Sequence, residues 1–86
     1  MAYSIEYAPE AIRALAKLPH DLRRRIVLRI ESLAENPRQP GAVKLSGYQA
    51  YRIRVGDYRV ICGIADQRLA VLVVRVAHRR DVYRGF

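Results

Sequence analysis

The feature that most constrains the fold is an alternating stretch at residues 51–61, which runs Tyr-Arg-Ile-Arg-Val-Gly-Asp-Tyr-Arg-Val-Ile. Apolar and polar side chains alternate on both sides of Gly56 and Asp57, and such alternation is typical of half-buried strands. A two-residue connection that begins with glycine favours a type II′ turn, because glycine accepts the positive φ of the first central position. The sequence therefore predicts a tight β-hairpin with a defined register.

The predicted register collects three arginines on one face of the hairpin. If Gly56 and Asp57 form the turn, Arg54 lies directly opposite Arg59, and Arg52 shares their face. Like charges directly opposite each other destabilise a strand pair, so a purely structural hairpin would favour Glu or Thr at one of the two positions. We expect this face to bind an anion. The alternative is that the three side chains diverge into water.

The charge balance agrees with an anionic partner. The chain has 86 residues and a formal net charge of +8, and 14 of its 16 basic residues are arginine. Residues 42–86 carry nine basic and three acidic side chains, so most of the excess lies in the part that contains the hairpin. Planar guanidinium groups bind phosphates bidentately, which favours a phosphate-rich partner. An acidic protein surface is the alternative.

Length and residue usage limit the number of domains, the possible disulfide and metal sites, and the location of the protein. A chain of 86 residues predicts one small domain over residues 1–86. A single cysteine, Cys62, excludes an intrachain disulfide and a cysteine-rich zinc site, and the two histidines lie far apart in sequence, so we expect no metal and no cofactor. The sequence has no signal-peptide pattern and no apolar run of membrane-spanning length, which predicts a cytoplasmic protein without membrane contact.

The rest of the chain predicts an α+β fold. We expect a first strand at Ala2–Tyr7, a helix from Pro9 to about Leu18, and a second helix from about Asp21 to Asn36-Pro37. A loop at 38–47 precedes the hairpin, and the nearly continuous apolar run Leu69–Ala77 indicates a strand inside the sheet, between the first strand and the hairpin. The predicted order is β-α-α-β-β-β, with a helical hairpin packed on one face of a four-stranded, mostly antiparallel twisted sheet.

The second helix carries its own basic group. Its outer face holds Arg23, Arg24, Arg25 and Arg29. We interpret these side chains as a solvated helix face. The alternative is an auxiliary phosphate contact on a large RNA.

The side chains available for chemistry are almost all cationic. The chain lacks a Ser/His/Asp arrangement, an acid pair near the hairpin and a glycine-rich phosphate loop. The candidates are Lys44, Arg52, Arg54, Arg59, His78, Arg79, Arg80, Tyr83 and Arg84. Such a set suits the stabilisation of a pentavalent phosphate in metal-free RNA cleavage, where the 2′-OH of the RNA is the nucleophile. Tyr83 or His78 could orient or transfer protons, or Tyr83 could stack on a base.

Several segments together resemble the RelE branch of the RelE/ParE toxin superfamily. They are the hairpin at 51–61, the preceding Lys44-Leu45-Ser46-Gly47, the end of the apolar run at 74–77, and His78-Arg79-Arg80-Asp81-Val82-Tyr83-Arg84. The resemblance covers essentially the whole chain. It implies the toxin of a type II toxin–antitoxin system, a ribosome-dependent endoribonuclease (mRNA interferase) that cuts mRNA in the ribosomal A site. It also implies a cognate antitoxin that holds the toxin inactive, and contact with operator DNA only through the antitoxin complex.

The resemblance also implies roles for individual residues. Arg52 and Arg54 would lie along the scissile backbone, and Arg59 would stabilise the charge of the transition state. Arg79 would lie near the leaving oxygen, and Tyr83 would orient the nucleophile or stack on a base. Further RNA contacts are expected from Lys44, His78, Arg80 and Arg84.

One departure from the family pattern leaves a second function open. The best-studied members have lysines at the positions of Arg52 and Arg54, and an arginine effectively cannot release its proton. No residue is therefore assigned as general base, and a non-catalytic toxin that inhibits DNA gyrase, as ParE-type relatives do, is the alternative. A DNA-binding module or an inactive remnant is a third hypothesis, although no helix-turn-helix signature supports the former.

Overall fold

The computed structural model describes residues 2–45 and 50–84. The predicted α+β class is confirmed, with two helices and a mixed sheet. In chain order the elements are β1 (Ser4–Tyr7), α1 (Pro9–Ala16), α2 (His20–Ser32), β2 (Val43–Lys44), β3 (Tyr51–Val55), β4 (Tyr58–Ala65) and β5 (Ala70–His78).

The strands form one sheet in the order β1-β5-β4-β3-β2. β1 pairs with β5 in parallel, and the other three pairs are antiparallel. The predicted place of β5, between the first strand and the hairpin, is confirmed. The predicted number of strands is wrong, because Val43 and Lys44 pair with β3 and add a fifth strand in the region expected to be a loop. A two-residue strand is too short to show any periodicity in the sequence.

Proline sets the start of both helices. Pro9 occupies the first turn of α1, where its fixed φ fits and its missing N–H is not needed, and Glu10 is favourable near the positive end of the helix. Pro19 separates the helices, and α2 starts at the next residue. Both helices end a few residues earlier than predicted, at Ala16 and Ser32. No helix in the described ranges is long and apolar enough to cross a membrane.

The core lies between the helices and one face of the sheet. Ile26, Ile30 and Leu33 from the α2 region are at most 1% exposed. They pack in one cluster with Ile53 of β3 and with buried residues of β4 and β5, namely Val60, Cys62, Val71, Val73 and Val76. Burying a side chain of this size stabilises the fold by about 1.5–3 kcal/mol. Cys62 belongs to the same cluster, and burial raises the pKa of its thiol to about 11.

The hairpin has the predicted register. Val55 pairs with Tyr58, and Arg54 pairs with Arg59. Gly56 has φ of +57°, whereas φ of Asp57 is not positive, which is the combination of signs found in a type II′ turn. The hairpin arginines therefore lie on the second face of the sheet, opposite the helix-covered face.

A polar cluster lies at the end of the sheet opposite the hairpin turn. Arg38 donates two hydrogen bonds of 2.9 Å to the carboxylate of Asp66 and one of 3.1 Å to the hydroxyl of Tyr51. The Tyr3 hydroxyl donates to the same carboxylate at 2.8 Å. These hydrogen bonds, that of Arg38 first, lower the pKa of Asp66 to about 2. The cluster joins β1, β3 and the β4–β5 turn, and it neutralises Arg38.

Candidate functional site

A pocket of about 550 Å³ lies beside the β2 edge of the sheet. Arg52 and Arg54 of β3 and Arg59 of β4 line it, as the hairpin register requires. Arg29 of α2 lines it as well, and the remaining lining residues are Pro40, Gly41 and Val43. Four guanidinium groups therefore converge on one concave surface.

The four arginines of this pocket have no carboxylate partner among the described residues. No aspartate or glutamate in residues 2–45 and 50–84 forms an ion pair with any of them, whereas the ion pairs found in these ranges, at 2.9 to 4.0 Å, involve arginines outside the pocket. The described residues also include no cluster of three or more His, Cys, Asp or Glu side chains placed to hold a metal ion. Because no described carboxylate compensates these positive charges, an anion that enters the pocket relieves their mutual repulsion.

The hairpin turn positions Arg59. Its Nη1 donates hydrogen bonds of 3.1 Å to the carbonyl oxygens of both Gly56 and Tyr58. These contacts hold the guanidinium beside the turn and use only one of its three nitrogens. The N–H groups of Nε and Nη2 have no partner among the described residues and remain available to a ligand.

Tyr83 reaches the pocket through Arg52. The Nη1 of Arg52 donates to the Tyr83 hydroxyl at 3.4 Å, and the Tyr83 side chain is 45% exposed. Tyr83 belongs to the basic tail, which we define as residues 79–84 after β5. It therefore lies next to Arg52 of β3, where a bound nucleic-acid strand could contact its hydroxyl or its ring.

Arg75 holds the tail in this position. Its Nη1 donates to the carbonyl oxygens of Val82 at 2.9 Å and Arg84 at 2.7 Å, and its Nη2 lies 3.6 Å from a carboxylate oxygen of Glu10. Val82 is only 1% exposed, so an apolar contact anchors the same segment. Sequence reasoning missed this role of Arg75. A lone charge in an otherwise apolar strand is the available signal, since such a charge needs partners.

Arg79 lies at the hairpin turn rather than in the pocket lining. Its backbone N–H donates to the carbonyl of Asp57 at 2.8 Å, and its Nη1 is 4.0 Å from the Asp57 carboxylate. The adjacent carbonyl, that of Gly56, is the one that binds Arg59. The structure thus brings Arg79 to the same turn as Arg59.

Four of the predicted RNA contacts are not brought to the pocket. His78 pairs with Tyr58 and makes a T-shaped ring contact with it at 5.7 Å, on the helix-covered face of the sheet. Lys44 is exposed on β2 but does not line the pocket. Arg80 and Arg84 are exposed in the tail. Any contact that these side chains make with RNA lies outside the pocket.

Arg29 is the fourth arginine of the pocket. The pattern of α2 favoured a solvated face for it, with a phosphate contact as the alternative, and the structure places it in the pocket wall. Gly41 permits this position: it has φ of +95°, and a Cβ there would lie 3.0 Å from the Nη2 of Arg29. The Pro40-Gly41 pair after the helix is the only sequence signal of such a close approach.

Comparisons with known proteins agree on one family. The family model described as "ParE toxin of type II toxin-antitoxin system, parDE" matches residues 5–83. Toxin RelG of Mycobacterium tuberculosis is 32% identical, covering 98% of this chain and 99% of the relative. Toxin RelE3 of Methanocaldococcus jannaschii is 35% identical, covering 93% of this chain and 94% of the relative.

A solved structure extends the likeness to the fold. In the crystal structure of the archaeal RelE-RelB complex from Pyrococcus horikoshii, the similar chain has a TM-score of 0.80 and 27% sequence identity. The match covers 92% of this chain and 97% of that chain. From the family model, the relatives and the shared fold, we conclude that this chain belongs to the RelE/ParE family of toxins of type II toxin–antitoxin systems.

Proposed function

We propose that this toxin is a metal-independent endoribonuclease of the RelE kind, which cleaves mRNA in the ribosomal A site and so inhibits translation in the cytoplasm. Residues 1–86 would act as one RelE-like domain. The observation that carries the proposal is the pocket of four arginines without a carboxylate partner among the described residues, with the Tyr83 hydroxyl held beside it by Arg52.

The proposed reaction is an in-line attack of the ribose 2′-OH on the adjacent phosphate. The bond between phosphorus and the 5′-oxygen breaks, and the RNA is left with a 2′,3′-cyclic phosphate and a free 5′-OH. The pentavalent intermediate carries additional negative charge, which Arg54 and Arg59 neutralise from the sheet face. Arg79, at the same turn as Arg59, is suited to the leaving oxygen.

Tyr83 is the better placed of the two proposed proton-transfer groups. Its hydroxyl contacts Arg52 at the pocket, whereas His78 lies on the other face of the sheet. Arginine is not a general base in proteins. The pocket arginines are therefore proposed to orient the strand and stabilise charge, and Tyr83 to orient the nucleophile or stack on a base.

The proposal includes a cognate antitoxin. The similar chain from Pyrococcus horikoshii was solved in a RelE-RelB complex. We infer that the partner of this chain contributes acidic and apolar side chains, because they complement an arginine pocket next to exposed apolar residues such as Val43 and Tyr83. The free toxin would act on mRNA and the ribosome, and operator DNA would be contacted only through the antitoxin complex.

Substitution of Arg59 by alanine tests the nuclease. The variant is expected to lose growth arrest on induction and A-site cleavage in a translation assay, because it removes the pocket guanidinium proposed to stabilise the transition state. Arg68→Ala is the matched control, since Arg68 lies outside the pocket, in the β4–β5 turn, and pairs with Glu6. Undiminished toxicity of Arg59→Ala beside an active control would contradict the proposal.

Inhibition of DNA gyrase is the second candidate. Two observations favour it: the matching family model is that of the ParE toxin, and no side chain lining the pocket is an ordinary general base. A translation assay run beside a supercoiling assay separates the two. Inhibited supercoiling with unaffected translation would replace the nuclease by the gyrase inhibitor.

A further inference from the structure

We propose that Arg29, held by Gln39 and admitted by Gly41, forms a second phosphate subsite beside the hairpin arginines. The pocket would then bind two consecutive phosphates of a single RNA strand. The biological ligand rests on the proposed function, whereas the subsite itself rests on the geometry of the pocket.

A closed loop of hydrogen bonds fixes Arg29. Its Nε donates to the Gln39 side-chain oxygen at 2.7 Å, and the Gln39 Nε2 donates to the Ser32 hydroxyl at 3.1 Å. The Ser32 hydroxyl in turn donates to the backbone carbonyl of Arg29 at 2.6 Å. The guanidinium is therefore oriented before any ligand arrives, which reduces the ordering cost of binding.

This anchoring leaves part of the guanidinium for a ligand. Nε donates to Gln39, and Nη2 donates to the Pro40 carbonyl at a long 3.5 Å. Among the described residues, none accepts a hydrogen bond from Nη1 and no carboxylate pairs with the side chain. A residue that served only to attach α2 to the following loop would need the Nε contact alone and would not need to line the pocket.

Gly41 makes the approach possible. A side chain at this position would press on the Arg29 Nη2, and the φ of +95° is one that L side chains rarely adopt. Glycine at position 41 therefore allows both the backbone conformation and the space that the position of Arg29 in the pocket requires. An arginine pointing into solvent from the helix would not require a glycine there.

The size and lining of the pocket favour a nucleotide over a single inorganic anion. Its volume of about 550 Å³ lies within the range of roughly 300–1,000 Å³ that holds organic ligands. Arg29 comes from α2, while the other three arginines come from the hairpin, and Pro40, Gly41 and Val43 supply apolar surface in the same wall. The pocket therefore offers two cationic groups, one from α2 and one from the hairpin, together with apolar surface. This combination suits two phosphates joined by a ribose.

The probes are adenosine 3′,5′-bisphosphate, adenosine 3′-monophosphate and adenosine 5′-monophosphate. Wild-type toxin, titrated at low ionic strength by calorimetry, is expected to bind the bisphosphate about tenfold or more tightly than either monophosphate, because charge-assisted hydrogen bonds of one further phosphate are gained. Arg29→Ala is expected to remove this advantage, so that the bisphosphate binds no more tightly than the monophosphates. Arg29→Gln, which keeps a donor toward the loop, is expected to do the same if Arg29→Ala folds poorly.

Arg24→Ala is the matched control, because it removes the same charge from an exposed position of the same helix outside the pocket. It should keep the preference for the bisphosphate. Equal affinity of wild-type toxin for one and two phosphates, or an equal loss in the Arg24 and Arg29 variants, would overturn the subsite. A confirmed subsite in a toxin whose Arg59→Ala variant stays fully toxic would instead overturn the nuclease alone.

Discussion

The Arg54–Arg59 pair allows a quantitative test of charge crowding on the second face of the sheet. The two residues are direct cross-strand partners, and neither has a carboxylate partner among the described residues. Cross-strand pairs contribute roughly 0.2–1 kcal/mol, and opposed like charges destabilise the strand pair. Arg54 is exposed, so solvent screening places each effect in the lower half of this range. Exchanging repulsion for attraction through Arg54→Glu should therefore add about 0.5–1 kcal/mol to the free energy of unfolding.

Thermal unfolding followed by circular dichroism measures this change. For a domain of this length, 1 kcal/mol corresponds to a shift in Tm of about 4–8 °C, so we expect Arg54→Glu to raise Tm by roughly 2–8 °C at low salt. Arg54→Thr, which removes the repulsion without adding attraction, should give an intermediate Tm. The Arg54→Glu toxin should also fail to arrest growth, because a carboxylate in the pocket repels phosphate.

Arg24→Glu controls for the change in net charge, since it makes the same replacement at an exposed helix position. Near 1 M salt the Debye length falls to about 3 Å, and the advantage of Arg54→Glu should largely disappear. A low-salt Tm no higher than that of Arg24→Glu would refute the crowding of charge. An advantage that persists undiminished in 1 M salt would show that its origin is not electrostatic.

Three further predictions concern the tail, the far end of the sheet and the core. Val82→Ala should lower the free energy of unfolding by about 1–3 kcal/mol, because it removes methyl groups from a residue that is 1% exposed. It should also loosen the tail that carries Tyr83. Urea unfolding measures the first effect, and a toxicity assay measures the second. The folded-state pKa of Asp66, about 2, is below its ordinary value of 3.8, so the carboxylate stabilises the fold fully above about pH 4, and this contribution is lost as pH falls from 4 toward 2. Asp66→Asn should therefore flatten the dependence of Tm on pH between 2 and 4, and an unchanged slope would contradict this assignment. The Cys62 thiol, buried and with its pKa raised to about 11, should react with a thiol reagent at pH 8 only on unfolding, and rapid labelling of the native protein would contradict its burial.

The hairpin was predictable because its information is local. Alternation assigns each side chain of residues 51–61 to a face, and Gly56 marks the turn that fixes the pairing. The three hairpin arginines of the pocket follow directly from this register. The order of helices and strands was equally accessible, since proline marks both helix starts and apolar periodicity marks the helix faces.

The faces of β5 were not predictable, because an apolar run contains no alternation. The register between β4 and β5 shifts between Ile61 and Cys62, so that Cys62 pairs with Val73 while Ile61 pairs with Arg75. Because of this irregularity, Arg75 lies on the second face of the sheet, with the hairpin arginines, and His78 lies on the helix-covered face. Only the three-dimensional pairing shows which side each residue takes, and it separates His78 from the pocket.

Arg29 and β2 were missed for a related reason. Val43 and Lys44 become a strand because β3 is beside them, and Arg29 becomes a pocket residue because Gly41 lets the loop pass close to α2. Both outcomes depend on contacts between segments that are distant in sequence or joined by an irregular loop. Local patterns carry no information about such contacts.

The position of β5 in the sheet has a consequence for the cell that makes this toxin. β5 lies between β1 and β4, although β1 precedes it by more than sixty residues. A nascent chain can form the β3–β4 hairpin early, but it cannot join the two sides of the sheet, or seat Tyr83 beside Arg52, until residues 70–84 have left the ribosome. Under the proposed function, the site that acts on mRNA therefore stays incomplete as long as residues 70–84 are inside the ribosome that synthesises them.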